Sequence, residues 1–347
     1  MTHSDSPQMQ TLLEQLSEAL EGEDYDPDDS GHLRDVVATM LEESQSWDDA
    51  LHRRLTEVLG KAEGKRWAGM FSGGFPSSYR SRFSVAEAAG DIQQIQSIAL
   101  SSDVPMRFYT SSEQGEQELN FKLYSQGKPV ILSDVIPILE NLGMRVLGEH
   151  PYRIRRRDGE QFGVSDFTVE CHSRCRGADV EAAKPRLQEG FREIWNGFAE
   201  NDDFNQLMMA AGLNWREVSL LRAYSRYIKQ LRFGFSQPFI ADTLARHLDI
   251  TALLVALFSA RFDPVLGNRE TESEHIENRI LGALEAVTSL DDDRILRRFY
   301  VLIKATLRTN YFQRQDTGEF KGYISLKLDP SSIPDIPKPC PRFEVFV

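Results

Sequence analysis

This 347-residue chain has no long apolar run, only three cysteines, and none of the glycine-rich fingerprints that cradle nucleotides. No stretch approaches the roughly 20 apolar residues needed to cross a bilayer. The opening MTHSDSPQMQ has neither the basic nor the apolar region of a signal peptide. A cytoplasmic location without membrane contact is therefore expected. Cys171, Cys175 and Cys340 are too few, and odd in number, for a secreted disulfide framework, so reduced thiols are expected. G-x-G-x-x-G after a strand, G-x-x-x-x-G-K-[ST], G-x-S-x-G and H-E-x-x-H are all absent. Nothing in the chain thus signals nucleotide cradling, serine hydrolysis or zinc proteolysis. Catalytic, cofactor-binding and metal-binding residues are all read as none.

Basic charge is scarce at one end. Residues 1–50 hold fourteen acidic side chains and one basic one, Arg34, whereas residues 51–347 carry 39 of each sign. Phosphate backbones and anionic lipids are bound through Lys and Arg, so an acidic head on a neutral body excludes nucleic acid as a partner. The head reads as a solvated leader over 1–45, with a short helix at 9–20 (MQTLLEQLSEAL) and a charged, Pro- and Gly-broken linker after it.

What is present divides by hydrophobic period. With 41% hydrophobic residues the chain can bury two or three cores. SWDDALHRRLTEVLGKA opens a helical segment, 46–69, with Ser46 as cap and Trp47, Leu51, Leu55 and Leu59 as its stripe. A second region, 70–178, begins with breakers Gly73, Gly74 and Pro76 and a helix from Val85 to about Leu100. Two strands follow, MRFYTS and LNFKLYS, joined by a loop containing Gly115. LSDVIPILENLG then reads as a helix capped by Ser133 and stopped by Gly143, and MRVLGEHPYRI and FGVSDFTVEC read as two more strands. Helix, two strands, helix, two strands predicts an antiparallel sheet with both helices on one face, a ferredoxin-like α+β arrangement.

From 179 to 315 the pattern is helix after helix, predicting a bundle. In KPRLQEGFREIWNGFA the residues Leu187, Phe191, Ile194, Trp195 and Phe198 form one stripe. The last long segment, DDRILRRFYVLIKATLRTNYF, is expected to stay helical to about Phe312. After 316 the period returns to two in YISLKL, and FEVFV starts another strand, so the chain is expected to stop inside an incomplete domain.

Few residues offer chemistry. Cys171-His172-x-x-Cys175 lacks a fourth zinc ligand and its spacing is unusual, so ordinary thiols at a strand end are expected. Asp202-Asp203 and the run Asp291 to Asp293 read as helix starts, where the helix dipole favours acid. Arg153 and Arg155 fall on one face of a strand and are candidates for a small anionic effector. Arg297, Lys304 and Arg308, seven and four apart, are placed on one face of the last long helix as a candidate domain contact.

Several long strings carry a resemblance: Phe75-Pro76-x-x-Tyr79, VILSDVIPILENLGMRVLGEHPY, Asp166-Phe167, ENDDFNQLMMAAGLNWREVSLLRAY, LFSARFDP, SLDDDRILRRF, ATLRTNYF and YISLKLDP. Together, over about residues 46–347, they resemble the large multidomain bacterial NAD-specific glutamate dehydrogenases. That family oxidatively deaminates L-glutamate to 2-oxoglutarate and ammonium with NAD⁺. The resemblance implies an ACT-like module at 70–178, helical motifs at 179–315, and at 316–347 the first strands of the substrate-binding domain of an α/β catalytic core. The family's Gly- and Arg-rich block with its catalytic lysines, and its Rossmann domain, have no counterpart here. No catalytic or NAD-binding residue is carried over, and NAD is expected for the complete enzyme but not on this chain. Expected partners are the catalytic domain, further copies of the complete enzyme as a homo-oligomer, and a small-molecule effector. The alternative is a free-standing ACT-like metabolite-binding or adaptor protein from a split gene.

Overall fold

The computed structural model describes residues 47–98, 104–113, 116–128, 130–171, 179–336 and 338–347. The acidic leader, the Ser46 cap, Gly115, His172 and Cys175 lie outside the described residues. Two compact units divide the chain: the first holds the described residues up to 105 with 124–128 and 151–164, and the second holds 106–123, 130–150 and 165–347.

In the first unit, α1 (Trp47–Leu59) buries Leu51 and Leu55 of the expected stripe. It does not run on to Ala62. Gly60, at φ +83°, takes a backbone conformation that side chains resist, and α2 (Lys61–Phe71) starts immediately after it. The two helices are in such close contact that a Cβ on Gly64 would strike the backbone of Thr56 and Leu55. Because backbone cannot swing aside, Gly64→Ala is expected to cost about 2 kcal/mol through overpacking, read as a lower midpoint in urea unfolding. The short α3 (Ser77–Arg80) leads to α4 (Val85–Ile98). Ser84 and Glu87 cap α4 reciprocally: Glu87 N donates to Ser84 Oγ (3.3 Å) and Ser84 N to Glu87 Oε2 (3.1 Å). An aromatic row fills this unit, with Tyr79 4.9 Å from Phe75, 4.7 Å from Phe83 and 5.3 Å from Tyr152 between ring centroids. At its centre the fully buried Asp91 accepts from two phenols, Tyr79 (2.5 Å) and Tyr124 (2.7 Å).

The strands β1 (Met106–Glu113), β2 (Glu116–Gln126), β3 (Met144–Arg155) and β4 (Gln161–Cys171) form a sheet in the order β1-β2-β4-β3. β1 and β2 pair antiparallel, with Phe108 opposite Phe121. In the second unit α5 (Leu132–Asn141) joins β2 to β3, and α6 (Val180–Trp195) follows β4 and contacts both α5 and β1. Phe191 of α6 meets Phe121 at 4.7 Å, and Gln188 gives its Nε2–H to Met106 O while its Oε1 accepts from Phe108 N, both at 3.3 Å. The side chain thereby covers backbone groups that an edge strand would otherwise leave open. Two local readings need correction. Ser133 is not the cap of α5: Ile131 holds the cap position without a side-chain bond, and Ser133 lies in the first turn. Phe198 is not on the α6 stripe, since the helix ends at Trp195 and Phe198 is 71% exposed.

The remaining helices are α7 (Leu207–Ala210), α8 (Trp215–Gln230), α9 (Gln237–Arg246), α10 (Leu248–Phe262), α11 (Arg269–Leu284) and α12 (Leu290–Ala305). A 3₁₀ turn, Asp203–Gln206, precedes α7, and Asp202 caps it by accepting from Phe204 N. Asn214 and Glu217 close a capping box on α8. No single described helix is long and apolar enough to cross a membrane. The α9–α10 pair passes only when joined across a 101° bend. Its apolar residues, among them Leu253, Leu254, Leu257 and Phe258, are buried within the protein.

The last helix stops earlier than its periodicity suggests. It ends at Ala305, and Thr306 turns into β5 (Thr306–Thr309) because its hydroxyl bonds back to Leu302 O (2.8 Å) and across to Tyr224 Oη (2.8 Å). β5 pairs with β6 (Leu326–Leu328), and β6 with β7 (Glu344–Phe346), both antiparallel.

Candidate functional site

The arginine pair on β3 lies as its alternation requires. Arg153 and Arg155 are exposed while Tyr152 and Ile154 between them are buried. Arg156 bonds Asp158 (2.6 Å) and Glu160 (3.1 Å) within the hairpin turn, and the Arg155 amide donates to Gly74 O. Cys171, half-buried at the end of β4, has its thiol pKa raised by burial and by Glu170. Among the described residues no group of three His, Cys, Asp or Glu could hold a metal ion.

The second candidate set is separated. Arg308 lies on β5, beyond the end of α12, so it shares no helix face with Arg297 and Lys304. Lys304 ties α12 to α11 through Glu277 (2.5 Å), while Arg297 bonds Asp293 on its own helix (2.8 Å) and Glu285 just past the end of α11 (3.3 Å). The Asp293 hydrogen bond holds the Arg297 guanidinium above its ordinary pKa. The acidic run does start the helix, with Ser289 as its cap, yet its middle residue does more. Asp292, 5% exposed, accepts from Arg246 Nη2 (2.7 Å), Arg246 Nε (3.2 Å) and Thr243 Oγ1 (3.3 Å), and bonds His247 Nε2 (3.0 Å). Burial alone would raise its pKa, but the hydrogen bonds from Arg246 and His247 outweigh this and hold it below the usual carboxylate range.

A further set of contacts between polar and aromatic side chains runs along α8, where it meets the segment that holds β5, β6 and β7. Arg216, Tyr224 and Tyr227, at helical spacing, are all buried on one face. Arg216 donates to Tyr311 O (2.8 Å) and Lys321 O (3.3 Å), with its guanidinium carbon 4.2 Å from the Phe320 ring centre and 4.8 Å from that of Tyr311. Tyr224 bonds Thr306, as above. Tyr227 donates to Glu344 Oε2 (2.8 Å), Gln230 Nε2 donates to Glu344 Oε1 (2.6 Å), and the Tyr227 and Phe346 rings meet edge-on at 5.5 Å. Burial, reinforced by Glu344, drives the Tyr227 phenol pKa upward. From α10, Arg261 donates to Thr306 O (3.3 Å), and Phe258 packs on Tyr311 at 5.3 Å. This arrangement fixes one small sheet onto a helix through charged and aromatic anchors. Sequence reasoning had not singled out Arg216, Tyr227 or Glu344. The capping box at Asn214 and the buried period of α8 were the available signals, but the partners lie about 90 to 120 residues away in the chain.

Comparison with known proteins matches these same elements in order. Residues 54–98 match glutamate dehydrogenase helical motif 2, 103–183 its ACT3 domain, and 199–264 its helical motif 3. Residues 279–347 match the catalytic domain of bacterial NAD-glutamate dehydrogenase. NAD-specific glutamate dehydrogenase of Halomonas elongata is 44% identical over 315 residues, covering 91% of this chain and 19% of the relative. That of Pseudomonas aeruginosa is 44% identical over 322 residues, 90% of this chain and 20% of the relative. The Mycobacterium tuberculosis protein of the same name is 35% identical over 323 residues. The chain thus spans about a fifth of the length of these relatives. With an α+β module, a run of helices and a sheet matched to the catalytic domain in the family's order, the chain belongs to the bacterial NAD-specific glutamate dehydrogenases, of which it carries a segment.

Proposed function

We propose that this chain holds and orients the start of the catalytic domain in an NAD-dependent glutamate dehydrogenase. The reaction is L-glutamate + NAD⁺ + water to 2-oxoglutarate + ammonium + NADH, with the catalytic and NAD-binding residues in the part of the enzyme that the relatives carry beyond the matched segment. The anchoring of β5–β7 on α8 is the observation that carries this reading. A sheet of three- and four-residue strands has little surface of its own to bury, and Arg216, Tyr224 and Tyr227 give it a fixed base. The ACT-like module at 70–178 has a regulatory role, with Arg153 and Arg155 as effector contacts, and the bundle at 179–315 supports the substrate-binding domain that starts at 316–347. The complete enzyme is a cytoplasmic homo-oligomer.

The purified chain is expected to form no NADH from glutamate and NAD⁺, followed by NADH absorbance. Coexpressed with a relative's catalytic region that lacks the matched segment, it is expected to restore turnover to that region. Robust turnover by the chain alone would show that catalysis lies within it. Failure of coexpression to raise the activity of the catalytic region would remove the orienting role.

A further inference from the structure

Beside the α8 seam, wholly within the second unit, lies a cleft of about 620 Å³. That size falls within the range of small-molecule sites. Five side-chain cations line it, against three side-chain carboxylates, Glu193, Glu200 and Glu319. Two of the cations are occupied: Arg222 forms a forked pair with Asp202 (2.7 and 2.8 Å), and Arg226 pairs with Glu200. The other three, Arg216, Arg314 and Lys321, have no salt bridge to a carboxylate among the described residues. Arg216 is the telling member. It is only 8% exposed, its hydrogen-bond partners are two carbonyl oxygens, and its buried Nε makes no hydrogen bond among the described residues. Arg314 lies over the same Phe320 ring at 4.0 Å, donating to Gly318 O (2.7 Å). Burial depresses the Arg216 pKa and the neighbouring Arg314 charge adds to this.

A buried cation without a counter-charge is costly unless an anion completes it, and the guanidinium fork matches a carboxylate or phosphoryl group. We propose that this cleft binds a small anion presenting two acidic oxygens, carboxylate or phosphoryl, to Arg216, Arg314 and Lys321. The rings of Trp215 and Phe320 supply an apolar wall for the body of the ligand. Arg222 and Arg226 keep their own carboxylates and take no part. The inference concerns this cleft alone and stands or falls apart from the dehydrogenase reading.

The test is calorimetric titration of the full chain with succinate and, separately, with inorganic phosphate, each against sodium chloride at matched ionic strength. Saturable binding of at least one probe is expected. It should weaken roughly tenfold in Arg314→Ala and again in the double variant with Lys321→Ala, since each removes one charge-assisted contact. Arg314 is exposed and Lys321 half-buried, so the fold should survive, and Arg279→Ala, an exposed cation of α11 outside the cleft, serves as a control that leaves binding unchanged. Tighter binding of succinate assigns the acidic group as carboxylate, and tighter binding of phosphate as phosphoryl. Absence of saturable binding for both probes overturns the proposal, as does binding that Arg314→Ala leaves intact or that Arg279→Ala weakens equally.

Discussion

Asp292→Ala is expected to destabilise the second unit by about 3 kcal/mol, because it removes the acceptor on which three side chains converge. Arg246, His247 and Thr243 all bond this carboxylate, which is 5% exposed at the start of α12. The loss sits at the lower end for a broken buried ion pair. Arg246 reaches solvent, and it keeps a second carboxylate partner in Asp242. Asp292→Asn should lose less, since the amide oxygen still accepts while the charge is gone. The check is the urea midpoint of the three proteins at neutral pH. The pH dependence has a definite sign. The folded carboxyl pKa lies below its ordinary value of 3.8. Its stabilising contribution is therefore present above that value and is lost as pH falls through the lower, folded value. Wild type should lose stability relative to Asp292→Asn on acidification below about pH 4, and a parallel fall in both would refute this role for the carboxylate.

Asp91→Ala is expected to destabilise the first unit by about 4 kcal/mol, since two buried phenols lose their shared acceptor and a cavity remains. Tyr79 and Tyr124 are 0% and 1% exposed, so water cannot replace the carboxylate without opening the core. Tyr79→Phe and Tyr124→Phe should each cost less than Asp91→Ala, and the double Phe variant should be non-additive because both hydroxyls answer to one group. Hydrogen exchange in α3 and α4 would report the loss in this unit directly. Burial, with the Asp91 charge beside it, raises the Tyr79 pKa far above the usual phenol value of 10.0. That contribution is complete below pH 10 and is lost as pH rises above it, so this unit should weaken in strong alkali and Tyr79→Phe should weaken less.

The α+β module was legible because its strands and helices have distinct periods and its breakers fall between them. The order β1-β2-β4-β3 was not legible, since pairing between strands far apart in the chain leaves no trace in either strand's own pattern. Periodicity also misjudged ends. Leu59 to Ala62 keeps a helical composition, yet Gly60 breaks it. The stretch after Ala305 remains compatible with a helix, yet Thr306 turns away because a tyrosine on α8 meets its hydroxyl. Where the helix stopped early, Arg308 left the face it was placed on. Arg297 and Lys304 stayed on theirs; the Asp293 partner of Arg297 is readable from i,i+4 spacing, but Glu285, just past α11, and Glu277 on α11 could not be read from spacing within α12.

The sequence by itself determined the class of fold and the family, because local period and long ordered strings are properties of the chain in one dimension. It also placed the acidic run at a helix start, where the dipole requires nothing from elsewhere. Only the tertiary structure decided what each charge does. Asp292 became a buried acceptor, Arg222 a partner of Asp202, and Arg216 a cation at the wall of a cleft whose hydrogen-bond partners among the described residues are carbonyl oxygens. Charge is written in the chain, but burial and the distance to a counter-charge arise only when segments up to a hundred residues apart meet, and those two quantities set the energy of an ion.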